Sequence, residues 1–127
     1  MKVNLRTICE RDDVALASNE MARDEIRHLL VVDMDGRLVG VVSDRDLLRA
    51  ADRAATIGAV MSRDVLTVGP GTSAAYAAER LIRGKYSALP VVDNDGHPIG
   101  IITCTDFLDI ACRALLGFDP VARRAHA

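Results

Sequence analysis

Two short phrases carry most of the polar chemistry in this chain, Ser43-Asp44-Arg45-Asp46 and Thr103-Cys104-Thr105-Asp106. Each sets a hydroxyl three residues before a carboxylate. That is the spacing of a helix N-terminus, where the side-chain oxygen accepts from a free backbone N–H and the carboxylate sits near the positive end of the helix dipole. Such a helix start also offers free N–H groups to an anion. A basic pair, Arg27-His28, precedes the first phrase, and Ser87-Ala88 stands at the same distance before the second. Other site chemistries find no support. Asp93-Asn94-Asp95-Gly96 resembles part of a calcium loop, but its Gly stands at the fourth place and no Glu stands at the twelfth. His28, His97 and His126 lack metal-ligand spacing, so no metal is expected. Neither a nucleophile elbow nor a phosphate-cradling Gly-rich loop is present, and an enzyme is not expected.

The elements that must position these phrases are legible around them. Leu89-Pro90-Val91-Val92, an Asp-Asn-Asp-Gly turn and Ile99-Gly100-Ile101-Ile102 read as a hairpin, because Gly accepts positive φ at the tip and the flanking β-branched runs prefer extended backbone. The same phrase stands sixty positions earlier, from Leu29 to Leu47. The chain is two copies of one unit. In each, a short strand (Val3 to Ile8; Arg63 to Val68) leads into a helix. The first helix opens at Asp12 or Asp13 and runs to about Ala22, with Val14, Ala17, Met21 and Ala22 on one face. The second opens at Thr72 or Ser73, with Ala74, Ala77, Ala78 and Leu81 buried and Arg80 and Arg83 outside. After the hairpins, one helix spans roughly Asp44 to Asp52 and Arg53 to Gly58 links the halves. The other reaches about Leu116, with Gly117 as its cap and Asp119-Pro120 as its stop. Each unit is β-α-β-β-α, too small to bury both faces of its own sheet. Two copies packed with pseudo-twofold symmetry into one α/β (α+β) module follow.

At 127 residues the chain can bury about two-thirds of its unfolded surface without staples. A net charge of −2, no basic block and no Trp argue against nucleic-acid binding. Cys9, Cys104 and Cys112 are odd in number and lack a Cys-x-x-Cys pair, which reads as reduced, buried thiols in a cytoplasmic protein. No apolar run reaches the roughly 18 residues of a membrane span, so no membrane partner is expected.

In this order and repetition, the phrases resemble a tandem cystathionine β-synthase (CBS) domain pair, or Bateman module. The marks are the Met-x-x-x-hydrophobic-x-Thr-hydrophobic entry (Met61 to Val68), the Leu-Pro-Val-Val-Asp-x-Asp-Gly hairpin (Leu89 to Gly96) and the closing Gly-h-h-Ser/Thr-x-x-Asp (Gly40 to Asp46; Gly100 to Asp106). The implied division is 1–55 for the first repeat, 56–118 for the second and 119–127 for a tail. Leu30 in place of Pro90, and Met1 aligning with Met61, are departures in the first copy.

The resemblance implies an adenosine ligand, such as AMP, ADP, ATP or S-adenosylmethionine, in the cleft between the repeats. It bears a regulatory role and needs no further cofactor. By the closing motif, Asp46 and Asp106 would meet ribose hydroxyls, with Ser43, Thr103 and Thr105 near ribose or phosphate. An ionised carboxylate suits a ribose diol, since each charge-assisted bond is worth about 1.5–3 kcal/mol. Thr7, Ile8, Thr67 and Val68 would line the adenine pocket beside Leu30 and Pro90, and Arg27 with His28 would hold phosphate. Because Ser87 and Ala88 cannot do the same, one competent site is expected rather than two. Leu47, Leu48, Ala51, Phe107, Leu108, Ile110, Ala111 and Leu115 are more apolar than one unit can bury, which with the resemblance implies a homodimer packed helix to helix. A regulated protein of unknown identity is a further partner. The rival expectation is a ligand-free module for dimerisation or assembly.

Overall fold

The computed structural model describes residues 5–84, 86 and 88–116, excluding the side chains of Thr105, Phe107, Ile110 and Leu116. In chain order the elements are β1 (Thr7–Cys9), α1 (Val14–Asp24), β2 (His28–Val32), β3 (Leu38–Ser43), α2 (Asp44–Arg49), α3 (Ile57–Val60), α4 (Ala74–Arg83), β4 (Ala88–Val92), β5 (Pro98–Thr103) and α5 (Cys104–Leu116). They form a mixed α+β fold of two repeats, as the internal repetition implies.

Both hairpins form for the reason the sequence suggests. Gly36 and Gly96 take φ of 82° and 86°, a region that L side chains rarely adopt. Asp33 accepts from the backbone N–H groups of Asp35 and Arg37 at 2.9 and 3.0 Å, and Asp93 from those of Asp95 and His97, both at 2.9 Å. Those two bonds, led by that from His97, hold the Asp93 carboxyl below the usual carboxylate range. The helix starts are capped as expected. Asp13 accepts from Leu16 N–H, Ser73 accepts from Tyr76 N–H, and Ser43 with Asp46 forms a reciprocal capping box.

β1 pairs parallel with β2, and β2 antiparallel with β3. The second sheet has only β4 and β5, so the strand expected over 63–68 shrinks to a single parallel bridge, Val68↔Val91. Pro90 accounts for the difference. In the first repeat Leu30 N–H donates to Arg6 C=O at 3.2 Å; its counterpart Pro90 has no N–H to give. The bonds that survive are Val68 N–H to Pro90 C=O at 3.0 Å and Val92 N–H to Val68 C=O at 2.9 Å.

The first core gathers Ile8, Val14, Ala17, Met21, Leu29, Val31 and Val42 with Leu47, Ile57 and Met61. The second holds Val68, Ala77, Leu81, Leu89 and Val91. Leu30 and Pro90 belong to neither cluster although both are essentially fully buried. By strand alternation they lie on the opposite face of β2 and β4, which the other repeat must cover. The repeats are also braced at their hairpin tips. Arg37 Nε donates to Asp95 C=O at 3.1 Å, and His97 Nε2 meets Asp35 C=O, also at 3.1 Å. A carbonyl can only accept, so His97 carries its proton on Nε2 in this bond.

Several expectations need correction. α1 runs to Asp24 and leaves Ala22 exposed, while α2 stops at Arg49. On α4, Ala74 is exposed and Ala78 is half-buried, so Ala77 and Leu81 alone carry the buried stripe. Leu47 is part of the core rather than an outward face. No thiol is fully buried, and Cys104, the first residue of α5, is exposed. α3, inside the link between the halves, was not anticipated. Gly117, Asp119-Pro120 and the tail lie outside the described residues, as do residues 1–4 of the first entry strand.

Candidate functional site

The capping box at the start of α2 places two of the expected site residues together. Ser43 N–H donates to Asp46 Oδ2 at 2.9 Å, and Asp46 N–H donates to Ser43 Oγ at 3.2 Å. The cap does not exhaust the carboxylate, which has about four lone-pair sites. β3 delivers Ser43 opposite His28 on β2, since these two residues are partners in the ladder. His28, Ser43 and Asp46, with Val41, line a cleft of about 180 Å³ whose other wall is Ser62, Asp64, Val65, Tyr86 and Ala88 from the second repeat. Ser62 is fixed there by reciprocal backbone bonds with Val41, at 3.0 and 2.9 Å. Gly40 makes that approach possible, because a Cβ there would stand 2.7 Å from both Met61 Sδ and Ser62 O.

The charge of this cleft is lopsided toward acid. Asp46 and Asp64 line it, and no Lys or Arg does among the described residues. Burial pushes the His28 imidazole below its ordinary pKa, against the opposing pull of Asp44 and Asp46. Near neutral pH His28 is therefore an uncharged donor and acceptor. Arg27 is exposed and not part of the lining; its carbonyl accepts from Asp44 N–H at 3.0 Å.

The remaining expected residues lie elsewhere. Thr103 N–H donates to Asp106 Oδ2 at 2.8 Å, as Ser43 N–H does to Asp46, and Thr103 Oγ1 donates to the same Asp106 oxygen at 3.3 Å. Lys2 and Asn4, the sequence counterparts of Ser62 and Asp64, lie outside the described residues. The Thr105 side chain is outside them too. Thr7 and Thr67 are exposed, Ile8 is in the first core and Pro90 is buried in β4. Val68 lines a second, apolar groove with Asp106 at its rim. Sequence reasoning missed Ser62, Asp64, Val65 and Tyr86 as cleft residues. The signal was the twofold itself, which sets each repeat's entry segment against the other's hairpin. Spacing also missed that Asp93, Asp95 and His97 bring possible ligand atoms within 4.8 Å of one another. The hydrogen bonds of the turn already account for Asp93.

The CBS domain family model matches residues 1–53 and 57–112. The chain belongs to the CBS domain family. Its two matches make it a CBS domain pair. Among curated relatives, an inosine-5'-monophosphate dehydrogenase from Nitrosopumilus maritimus is 45% identical over 82 residues, 65% of this chain and 17% of that enzyme. A homoserine O-acetyltransferase from Methanococcoides burtonii is 38% identical over 107 residues, 84% of this chain and 22% of that enzyme. The CBS pair thus spans about a fifth of the length of these relatives.

Among solved structures, CBSX2 in complex with AMP has a TM-score of 0.79 at 31% identity, covering 87% of this chain and 90% of that one. The CBS pair of MJ0100 with 5'-methylthioadenosine and S-adenosyl-L-methionine has a TM-score of 0.80 at 27% identity, covering 87% and 90%. The cytosolic domain of the Mg²⁺ channel MgtE with ATP has a TM-score of 0.78 at 31% identity, covering 87% and 46%. Among the described residues of this CBS pair, no helix is long and apolar enough to cross a membrane.

Proposed function

We propose that this CBS pair is a regulatory module that binds an adenosine compound in the cleft between its repeats. One observation carries the reading: His28, Ser43 and Asp46 of the first repeat face Ser62, Asp64 and Tyr86 of the second across one opening. In this reading Asp46 accepts from the ribose diol, and Tyr86 and Val65 offer apolar surface to the base. A cleft of this size is smaller than the roughly 300 Å³ of a typical enclosed ligand pocket. The ligand therefore sits partly in solvent and touches both repeats, so that binding favours one inter-repeat geometry over others. Solved CBS pairs holding AMP, ATP or S-adenosyl-L-methionine support the ligand class. The acidic lining and uncharged His28 favour its less anionic members, S-adenosylmethionine or AMP, over ATP. No catalytic activity is proposed from the enzymes it resembles, because the matching region is 17% of the dehydrogenase and 22% of the acetyltransferase.

Calorimetry with S-adenosylmethionine, AMP, ADP, ATP and 2′-deoxy-AMP tests this. The expected result is saturable binding of one adenosine ligand, weaker by about tenfold without the diol hydroxyl and by a similar factor in Asp46→Asn, given the charge-assisted bonds lost. No heat from any of the five on folded, nucleotide-free protein overturns the reading.

A second reading, assembly through the repeat-terminal helices, has its own observation: Leu48, Leu108 and Leu115 are 84%, 67% and 83% exposed. They give the proposed homodimer an apolar face. A light-scattering mass of one chain at micromolar concentration would remove it.

A further inference from the structure

The hairpin tips of the two repeats hold each other by one motif used twice. Arg37 and His97 stand sixty positions apart, as do Asp35 and Asp95, and each side chain donates to the carbonyl of the other tip's aspartate. The turn glycines make room for this. A Cβ on Gly36 would stand 3.5 Å from His97 Cδ2, and one on Gly96 would stand 4.0 Å from Arg37 Cγ and Cδ, so each side chain lies over the bare backbone of the opposite turn. A third bond breaks the symmetry. Leu38 N–H donates to Gly96 C=O at 2.9 Å, whereas its counterpart Pro98 has no N–H to offer Gly36. All three acceptors are backbone carbonyls, in turns that Asp33 and Asp93 already hold in shape.

The other end of the same hairpins is built differently. There His28 opens β2, Ser43 closes β3 and Ala88 opens β4, and the repeats part around the cleft of about 180 Å³. The chain also crosses between repeats at this end. Ser62 is bonded to Val41 and so moves with the first repeat, and residues 63–67 then run without helix or strand until Val68 bridges to β4. A paired hairpin is stiff along its length. Two such hairpins clasped at their tips, and joined at the far end only through an unpaired crossing, change their relation most readily by turning about the tips.

We propose that this clasp is a hinge: the repeats turn about the hairpin tips, and the turn widens or narrows the cleft at the far end. Arg37, Leu38 and His97 are then positioning residues for the cleft, although none of them lines it. The proposal does not depend on the nucleotide reading.

The test measures distance distributions between spin labels on the full chain, with Cys9, Cys104 and Cys112 replaced by serine and folding checked by circular dichroism. One pair of labels replaces Met34 and Asn94 at the tips. The other replaces Arg27, next to His28, and Arg83, at the end of α4; all four positions are exposed. A narrow tip distribution and a broader cleft distribution are expected. Arg37→Ala combined with His97→Ala should widen the tip distribution to at least that of the cleft pair. The same variant should speed exchange of the Leu38 amide by about tenfold, the effect expected from losing two such bonds. Leu38→Pro removes the third bond alone and should widen the tip distribution by less; Pro98 shows that the first position of this strand accepts proline. Equal widths for the two pairs with the clasp intact overturn the proposal, because the repeats would then move as one body or part at both ends. A tip distribution that neither substitution changes also overturns it, since the clasp would then not be what holds the tips.

Discussion

The two repeats share a hairpin to the residue. His28↔Ser43 through Val32↔Leu38 in the first becomes Ala88↔Thr103 through Val92↔Pro98 in the second, with the register shift at the same step. Around that common piece they diverge. The first has a third strand and a core closed by Ile57 and Met61; the second has a two-stranded sheet and an open groove. The local phrase sets the hairpin and its caps, while the segments that arrive from outside the phrase decide whether a core closes over it.

The largest effect should come from making the first repeat resemble the second. Ile57→Ala empties the socket that the second repeat carries as a groove. Because Ile57 is fully buried, the loss should be about 2–5 kcal/mol, the usual range for truncating a large aliphatic core residue. Urea unfolding measures it. A loss under about 1 kcal/mol would mean that the first core closes without the link.

Next is the contact that seats the second repeat's entry segment on the first. Gly40→Ala drives a Cβ into Met61 Sδ and Ser62 O, both 2.7 Å from its position. Met61 can give by changing rotamer. Ser62 O cannot without breaking its bond to Val41 N–H. A destabilisation of about 1–3 kcal/mol is expected, as for an overpacked core site. Gly69→Ala is the control, with nothing within 4 Å of its Cβ and no positive φ. It should change stability by no more than about 1 kcal/mol, in the stabilising direction if the unfolded chain loses freedom.

These cases show what was legible. Asp-x-Asp-Gly turns, Ser43/Asp46 and Ser73 could be read because each acts on backbone within four residues of itself. Ile57 could not, since nothing local says which repeat a branched residue in a linker will enter. Leu47 reads from sequence as part of an outward face because α2 is too short, at six residues, for its periodicity to separate core from surface. In the site, the fragment His28, Ser43, Asp46 was legible from one repeat. Ser62, Asp64 and Tyr86 join it only through packing across the twofold, where sequence neighbours carry no signal. Pro90 sits within its own strand, yet its missing N–H acts on the neighbouring segment, which does not form a strand beside it.

That last difference can be exchanged between the repeats. Leu30→Pro deletes the donor to Arg6 C=O and should cost about 1 kcal/mol, with amide protection lost along Thr7–Cys9. Pro90→Leu restores a donor opposite Leu66 and should slow exchange of its own new amide and that of Val68, with stability changed by under about 1 kcal/mol. Native-state hydrogen exchange reads both. Unchanged protection in both variants would mean that the proline is not what shortens the second sheet.

The smallest effect separates the repeats by pH. His28 and Ala88 occupy matching positions, and only His28 titrates. The groups around it are Asp44, Asp46 and Arg27, with Asp64 and Tyr86 across the cleft. Burial lowers the His28 pKa in the folded state, so the unfolded chain binds the proton more readily. Stability is therefore full above the unfolded value of about 6.5 and falls as pH drops from there through the folded pKa, below which the loss levels off. One proton limits the slope to about 1.4 kcal/mol per pH unit. His28→Gln should flatten this part of the profile between pH 7 and 5 and leave the carboxylate-driven loss at lower pH in place. The same residue reports the charge of the ligand. An anionic group beside His28 raises its pKa on binding, so affinity for AMP should increase on going from pH 7.5 to 5.5, while a cationic sulfonium there would make affinity fall over the same range. If neither profile moves in His28→Gln, the imidazole does not face the ligand, and the cleft's selectivity rests on Asp46 and Asp64 alone.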